Sequence, residues 1–236
     1  MSKQKLYLVL DVETCEDVDT NPLPYDIGYA ICNKYGDIFL ERSFVVADTF
    51  LDLKESMQSA YYAQKIPQYW EDIKQGKRTL TTFWNIYRTI HKDIKDYKIK
   101  TVCAYNAYFD RGALNNLIRY CSKSWKRWFF PFGIEYHCIW HEACQVLMSR
   151  KSYINFALKH NLISKSKQKN IQTNAEAVYR YITGDLNFEE EHTGLEDVHI
   201  EVKIMAECYR QKKKMERGIN RLCWKLPQQK RKELKL

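Results

Sequence analysis

The pattern of apolar and polar positions near the N-terminus predicts a small antiparallel sheet. Residues 5–10 form an almost unbroken apolar run, which is typical of a short buried strand. Residues 26–33 and 37–46 are two more strand-like runs, and the turn between them contains Gly36. We therefore expect a hairpin that pairs with the first strand.

Further along the chain the pattern changes to helices that alternate with strands. Apolar residues at helical spacing over 83–97 predict a helix, and the apolar run 101–105 predicts the strand that follows it. More helices are expected over 114–121, 139–149, 152–160, 174–183 and 197–209. Strands followed by alternating helices and strands predict an α/β fold, with a mixed sheet flanked by helices on both faces.

Length and composition are those of one well-packed domain. The chain has 236 residues, of which 45% are hydrophobic, and its eight cysteines are scattered. A domain of this size needs no disulfides, so we expect a reducing, cytoplasmic location. We expect neither a signal peptide nor a membrane-spanning segment, because no apolar run is long enough.

The excess positive charge is confined to the C-terminal end. The chain carries 38 Lys and Arg and 29 Asp and Glu, and residues 209–236 contain 11 of the basic residues but only 2 of the acidic ones. The remaining body, residues 1–208, therefore has 27 of each. We expect a domain over 1–208 and a basic, helical segment over 209–236, which either contacts a phosphate backbone or docks on the body.

Four acidic residues and one histidine occupy positions from which they can converge. Asp11 and Glu13 follow the first strand two residues apart, so they can face the same side. Asp110 lies between the 101–105 strand and a helix, and Asp197 lies early in the long helix, with His192 just before it. In α/β folds such strand ends form active sites, so we expect one shared site.

A cluster of four carboxylates requires positive charge. Without it the like charges repel, and the pKa values rise. Mg²⁺ or Mn²⁺ suits oxygen ligands, and two such ions can stabilise the attacking and leaving oxygens of a phosphodiester. His192 is then the candidate general base, since the pKa of histidine lies near neutrality.

The motifs resemble those of the DEDDh 3′–5′ exonucleases, a group with an RNase H-like fold that includes proofreading exonuclease subunits, oligoribonuclease and RNase T. The residues that match its three motifs are Asp11 and Glu13, then Asn106, Phe109 and Asp110, then His192 and Asp197. The similarity extends over about residues 6–209. Gly194 stands where the family usually has Ala, which leaves room for close backbone packing.

The resemblance implies a 3′–5′ exonuclease that uses two Mg²⁺ or Mn²⁺ ions, with Asp11, Glu13, Asp110 and Asp197 as metal ligands and His192 as base. Its substrate would be single-stranded or frayed nucleic acid, with DNA favoured over RNA, and its products nucleoside monophosphates. The expected substrate contacts are Thr14, Cys15, Asn106 and Phe109. A polymerase or replication protein would be a separate chain. The alternative is a non-catalytic nucleic-acid-binding or replication accessory protein on this fold, which the complete motifs argue against.

Two other clusters have competing interpretations. Residues 47–78 contain Tyr61, Tyr62, Tyr69 and Trp70 among Lys and Arg residues. These rings could stack on unpaired bases, but we favour packing against the sheet, because aromatic side chains are mostly core material.

A short Cys/His cluster could in principle hold zinc. It consists of His137, Cys138, His141 and Cys144. Apolar neighbours predict an ordinary packed helix instead. Downstream of it, residues 164–170 are predicted to be an exposed loop.

Overall fold

The computed structural model of the protein describes residues 4–16, 20–165 and 168–236. Its centre is a six-stranded sheet with the order β4-β3-β2-β1-β5-β6. β1 to β3 are antiparallel, whereas β5 runs parallel to β1, β6 parallel to β5, and β4 parallel to β3. The strands are β1 (Leu6–Glu16), β2 (Pro22–Asn33), β3 (Ile38–Val46), β4 (Thr79–Thr81), β5 (Thr101–Ala104) and β6 (Glu135–Cys138).

Helices cover both faces of this sheet, which confirms the predicted α/β architecture. They are α1 (Ala47–Phe50), α2 (Lys54–Ser59), α3 (Ile66–Lys74), α4 (Phe83–Asp96), α5 (Ala107–Ser122), α6 (Ile139–Ala143), α7 (Lys151–Lys159), α8 (Ala175–Thr183), α9 (Gly194–Arg210) and α10 (Lys225–Glu233). A π-helical turn, Cys144–Met148, extends α6. The helices predicted from apolar spacing are confirmed, with the 139–149 helix divided into α6 and this turn.

The two faces of β1 belong to two separate cores. Tyr7 and Val9 pack with α6 to α9 on one face, and Leu8, Leu10 and Val12 pack with α4 and α5 on the other. Side chains alternate along a strand, so the odd-numbered residues of β1 point towards α9. This places Asp11 and Glu13 on the α9 face.

β1 is longer than the sequence predicts. It was expected to end at Leu10, but it continues to Glu16 because its acidic half pairs with β2, with Asp11 opposite Gly28 and Glu13 opposite Asp26. The register shifts between Glu13 and Thr14. Pairing with β2 thus extends β1 although the apolar pattern ends at Leu10. Asp11 and Glu13 therefore lie on a strand rather than in a loop.

The crossover from β3 to β4 was predicted least well. It contains α1 to α3, and Tyr69 of α3 is buried while Tyr61 is 85% exposed. The expectation of packing is therefore confirmed for Tyr69 and wrong for Tyr61. β4 and β6 were not predicted, because runs of three and four residues show no recognisable alternation.

The basic C-terminal segment docks on the body, and beyond the end of α9 at Arg210 it is helical only in α10. The Cys138 N–H donates to the Arg217 carbonyl (2.8 Å), and Gln228 exchanges two hydrogen bonds with the backbone of Ile171 (both 2.9 Å). The expectation of a helical segment is therefore wrong for residues 211–220, whose backbone hydrogen-bonds to the body instead.

The predicted loop at 164–170 lies partly outside the described residues, which exclude 166 and 167. Its ends are held together by a bridge between Ile163 and Ile171. Within the described part of the chain, each helix is too short or too polar to cross a membrane.

Candidate active site

Asp110 is held against β1 by the start of α5. The chain leaves β5 at Ala104, turns through Tyr105 and Asn106, and begins α5 at Ala107. Asp110 lies in the first turn of this helix, is buried, and accepts a hydrogen bond from the Val12 N–H. The carboxylate therefore lies beside the strand that carries Asp11 and Glu13.

Asp197 reaches the same region because α9 approaches β2 with no side chain between them. A Cβ on Gly28 would lie 2.2 Å from the carbonyl carbon of Gly194, and a Cβ on Gly194 would lie 2.7 Å from the Gly28 nitrogen. The Gly194 N–H donates to Asp26 Oδ2 (2.9 Å). Glycine at position 194, noted in the sequence, is thus required by the backbone contact with Gly28.

Three of the predicted site residues meet within ligand distance. One ligand atom each from Glu13, His192 and Asp197 lies within 4.8 Å of the other two, the only such group among the residues that the structure describes. Asp11 and Asp110 are close enough to act on this site electrostatically. The structure thus brings the five predicted residues into one region, with three at its centre.

Burial and mutual repulsion raise the pKa values of these carboxyl groups. Burial, followed by the charge of Asp26, raises the pKa of Glu13 to about 8. Burial, followed by Glu190 and Glu13, raises the pKa of Asp197 to about 9. Burial raises the pKa of Asp110 to about 7 and places that of Asp11 well above its usual range. The cluster is unfavourable when fully ionised unless a cation compensates it.

Glu201 is a further acid that sequence reasoning missed. It lies one helical turn after Asp197 on α9, is buried, and accepts a hydrogen bond from the Tyr105 N–H (3.0 Å). Its charge contributes to the raised pKa of Asp11. The spacing of four residues from Asp197 was a readable signal for a shared helix face.

The donor set fits divalent cations. Asp197 Oδ1 and Glu201 Oε2 are buried and have no hydrogen-bond partner among the described residues. Buried carboxylate oxygens are normally paired, so these two require a ligand or a proton. Oxygen donors of this kind suit Mg²⁺ or Mn²⁺.

His192 is positioned by residues from the crossover. Its backbone is left-handed (φ 50°), and its ring stacks on Tyr62 with 4.6 Å between ring centroids and 14° between planes. Burial, followed by the charge of Lys65, lowers the pKa of His192. Neither Tyr62 nor Lys65 was predicted to reach the site, because their proximity depends on how the crossover folds over the sheet.

A buried ion-pair network fixes the crossover, β2 and α9 relative to one another. Arg78 donates to Asp26 (3.1 Å), Asp72 (3.0 Å) and Glu196 (2.8 Å). Asp26 also accepts a hydrogen bond from the Tyr69 hydroxyl (2.7 Å). Since Glu196 directly precedes Asp197, this network positions the start of α9 at the site.

The predicted substrate contacts differ in accessibility. Phe109 is exposed on α5, next to Asp110. Thr14 is partly exposed on β1, next to Glu13. Asn106 precedes the first residue of α5. The Cys15 side chain is buried, and its thiol donates to the Leu23 carbonyl (3.7 Å), so the predicted contact through this side chain is not accessible.

The Cys/His cluster has other partners. His141 Nδ1 lies 2.8 Å from the Gly218 carbonyl, and the Cys138 thiol donates to the Tyr105 carbonyl (3.4 Å). His137 and Cys138 belong to β6 rather than to a helix. Among the described residues, this cluster does not bring three ligand atoms within 4.8 Å of one another.

No protein-family model and no curated protein matches the sequence. The fold is similar to that of E. coli exonuclease I. Against its complex with a dT13 oligonucleotide the TM-score is 0.53 at 12% identity, over 89% of this chain and 42% of that chain. Against the zinc-ion-bound form of an exonuclease I–ssDNA complex the TM-score is 0.54 at 12% identity, over 89% and 41%. The chain thus spans less than half of the length of exonuclease I, and the likeness is one of fold.

Proposed function

We propose that this chain is a metal-dependent 3′–5′ exonuclease of the DEDDh type. The observation that carries the proposal is the convergence of Glu13, His192 and Asp197 beside Asp11 and Asp110. This constellation stands on a fold similar to that of E. coli exonuclease I. Fold alone does not determine function, so the proposal depends on the site residues.

Asp11, Glu13, Asp110 and Asp197 would hold two divalent cations. When bound, these ions supply positive charge to the attacking and leaving oxygens of a phosphodiester. Glu201 is close enough to raise the pKa of Asp11, and its negative charge would favour cation binding. The raised carboxyl pKa values and the unpaired oxygens of Asp197 and Glu201 support this role.

His192 accepts the proton of the attacking water. A neutral imidazole is required for this step, and burial and Lys65 favour the neutral form by lowering the pKa of His192. Stacking on Tyr62 limits rotation of the ring. Attack on the terminal phosphodiester then breaks the bond to the 3′ oxygen of the preceding nucleotide, which takes up a proton from solvent, and releases a nucleoside 5′-monophosphate.

We favour single-stranded DNA as the substrate. Two exonuclease I structures with similar folds are complexes with single-stranded DNA, one of them with a dT13 oligonucleotide. Discrimination against RNA would depend on contacts to the 2′-hydroxyl of the terminal nucleotide. Parallel assays on dT and U oligomers of equal length would determine the sugar preference.

The experiment that tests the proposal compares wild type with Asp110→Asn on an end-labelled single-stranded oligonucleotide, with Mg²⁺ or with EDTA. Cleavage should require Mg²⁺, and Asp110→Asn should abolish it without unfolding the protein. Asp96→Asn is the matched control, because Asp96 forms only a surface ion pair with Lys92. Full activity of Asp110→Asn would contradict the site assignment.

A further inference from the structure

Two adjoining clefts follow α5 away from the candidate active site. The first has a volume of about 480 Å³ and is lined in part by Phe109 and Arg111. The second, of about 370 Å³, is lined in part by Arg119 and Trp125, and Asn116 lines both. From Phe109 to Arg119 the helix rises about 15 Å, at about 1.5 Å per residue. We refer to the two together as the α5 cleft.

The lining of the α5 cleft combines exposed rings with unopposed positive charge. Residues 111–132 contain five Lys or Arg and no Asp or Glu. Trp125 is 72% exposed and Trp128 is 59% exposed. The guanidinium groups of Arg111 and Arg119 lie 5.9 and 5.1 Å from the centre of the Trp128 ring.

The loop that carries these indoles is anchored to the core. The Phe129 N–H donates to Asn115 Oδ1 of α5 (2.9 Å), and the Phe129 and Phe130 side chains are buried. The neighbouring Trp125 and Trp128 are therefore exposed on a supported backbone. Large exposed aromatic side chains on an ordered segment are typical of a binding surface.

Gly112 forms part of the lining and has no packing reason to be glycine. It lies inside α5, where glycine is less favourable than alanine because its backbone loses more conformational freedom. A Cβ at this position would meet nothing within 4 Å. The missing side chain thus leaves space in the cleft beside Phe109.

The basic C-terminal segment reaches the same surface. Arg221 lies over the ring of Tyr108, with 4.2 Å from its guanidinium carbon to the ring centre. Tyr108 lines the first part of the α5 cleft and directly precedes Phe109. Arg221 thus lies where a nucleic-acid strand that leaves the active site along α5 would pass.

We propose that the α5 cleft binds the nucleotides upstream of the two that flank the cleaved phosphodiester, with bases stacked on Trp125 and Trp128 and phosphates near Arg111, Arg119 and Arg221. Alternating rings and cations match the bases and phosphates of an unpaired strand, whereas a duplex hides its base faces. This inference rests on the proposed exonuclease function, and it makes affinity depend on the length of the single strand.

Steady-state kinetics on a dT15 oligomer and on a thymidine dinucleotide test the proposal. Base stacking is worth about 1–3 kcal/mol per base, which corresponds to roughly 5- to 150-fold in affinity. Trp125→Ala and Trp128→Ala should each raise the KM for dT15 within that range and leave cleavage of the dinucleotide unchanged. The matched control is Tyr35→Ala, which removes a 67% exposed ring covered by Lys34 on the β2–β3 turn.

A larger side chain at position 112 tests the same proposal independently, because it fills the cleft without removing any side chain that would contact the strand. Gly112→Leu should raise the KM for dT15 roughly tenfold without lowering Tm, since leucine has the higher helix propensity. Gly112→Ala should raise Tm and change KM less. Matched U15 assays would show whether the cleft distinguishes RNA from DNA.

The outcomes separate this inference from the exonuclease proposal. If wild type cleaves both substrates but the tryptophan and leucine variants keep wild-type KM values for dT15, the α5 cleft is not the upstream site. If wild type with Mg²⁺ cleaves neither substrate, the exonuclease proposal itself fails. Equal losses on the dinucleotide and on dT15 would also contradict the inference, because the dinucleotide does not extend along α5.

Discussion

The two ends of α5 have opposite chemistry. At its N-terminal end, buried Asp110 joins a group of carboxyl groups whose pKa values are raised by burial and by the charges of their neighbours. Along the rest of the helix and the loop that follows, exposed indoles lie among arginines with no acid between residues 111 and 132. The first region is suited to reaction and the second to retention of an anionic strand. The comparison shows that a body with equal numbers of acidic and basic residues can still present a purely basic surface, because its charges are segregated.

Removal of the proposed base tests the reactive end of this comparison. His192→Ala should lower kcat for dT15 by roughly 10²–10⁴-fold, the usual loss when a general base is removed, and should leave KM nearly unchanged. Tyr62→Leu keeps the imidazole but removes the stacked ring, so a smaller loss is expected. A wild-type kcat for His192→Ala would show that another group takes the proton.

Disruption of the Arg78 network should lower the stability of the fold that holds the start of α9. Arg78→Met leaves Asp26, Asp72 and Glu196 without their shared cation. Loss of one partner of a buried ion pair costs about 3–5 kcal/mol, and urea denaturation would measure it. Arg42→Met is the control, because Arg42 is partly exposed and Asp93 keeps its bond from the Tyr29 hydroxyl. Equal losses for the two variants would contradict the special role of Arg78.

The acid cluster should make stability depend on pH and on Mg²⁺. A carboxyl group whose pKa is raised by folding favours the folded state at low pH, and this stability is lost as pH rises through the folded pKa. With pKa values of about 8 for Glu13 and about 9 for Asp197, Tm in EDTA should fall between about pH 5 and pH 9.

Mg²⁺ should reverse this fall, and Asp197→Asn should raise Tm in EDTA. The expected increase is about 2–8 °C, since 1 kcal/mol changes Tm by about 2–4 °C in a chain of this size. Thermal unfolding of both proteins at pH 6 and pH 8, with and without Mg²⁺, measures the effect. A Tm in EDTA that is independent of pH would show that the carboxylates do not repel one another as the structure implies.

The smallest expected effect concerns the basic segment. Arg221→Ala should reduce the slope of log KM against log salt by about 0.7, the contribution of one phosphate contact with a single strand. Lys230→Ala is the matched control, since Lys230 lies in the same segment but pairs with Glu233 (2.8 Å). An unchanged slope for Arg221→Ala would show that Arg221 of the C-terminal segment does not contact a phosphate of the substrate.

The sequence predicted the parts of the site that depend on local spacing. Asp11 and Glu13 share a face because they are two residues apart on a strand, and Asp197 lies in the first turn of a helix whose apolar stripe was recognisable. Glu201 was equally local, four residues beyond Asp197, but lies outside the recognised motif. The run of cations and aromatic residues over 111–132 was also readable and was overlooked.

The remaining features depend on tertiary contacts that no local pattern encodes. Tyr62 and Lys65 reach His192 only because the crossover folds over the sheet, held there by Tyr69 and Asp26. The acidic half of β1 is a strand only because β2 pairs with it. The C-terminal segment was expected to be helical, whereas its backbone between α9 and α10 hydrogen-bonds to β6 and α6 instead.

The most direct test of the central claim is the product pattern from a 5′-labelled dT15 oligomer incubated with wild-type protein and Mg²⁺. We predict a ladder of labelled products that shorten stepwise from the 3′ end, together with release of thymidine 5′-monophosphate, and no cleavage in EDTA. Release of the labelled 5′ nucleotide first, internal cleavage, or an intact oligomer in the presence of Mg²⁺ would contradict the proposal that these carboxylates and His192 form a 3′–5′ exonuclease site.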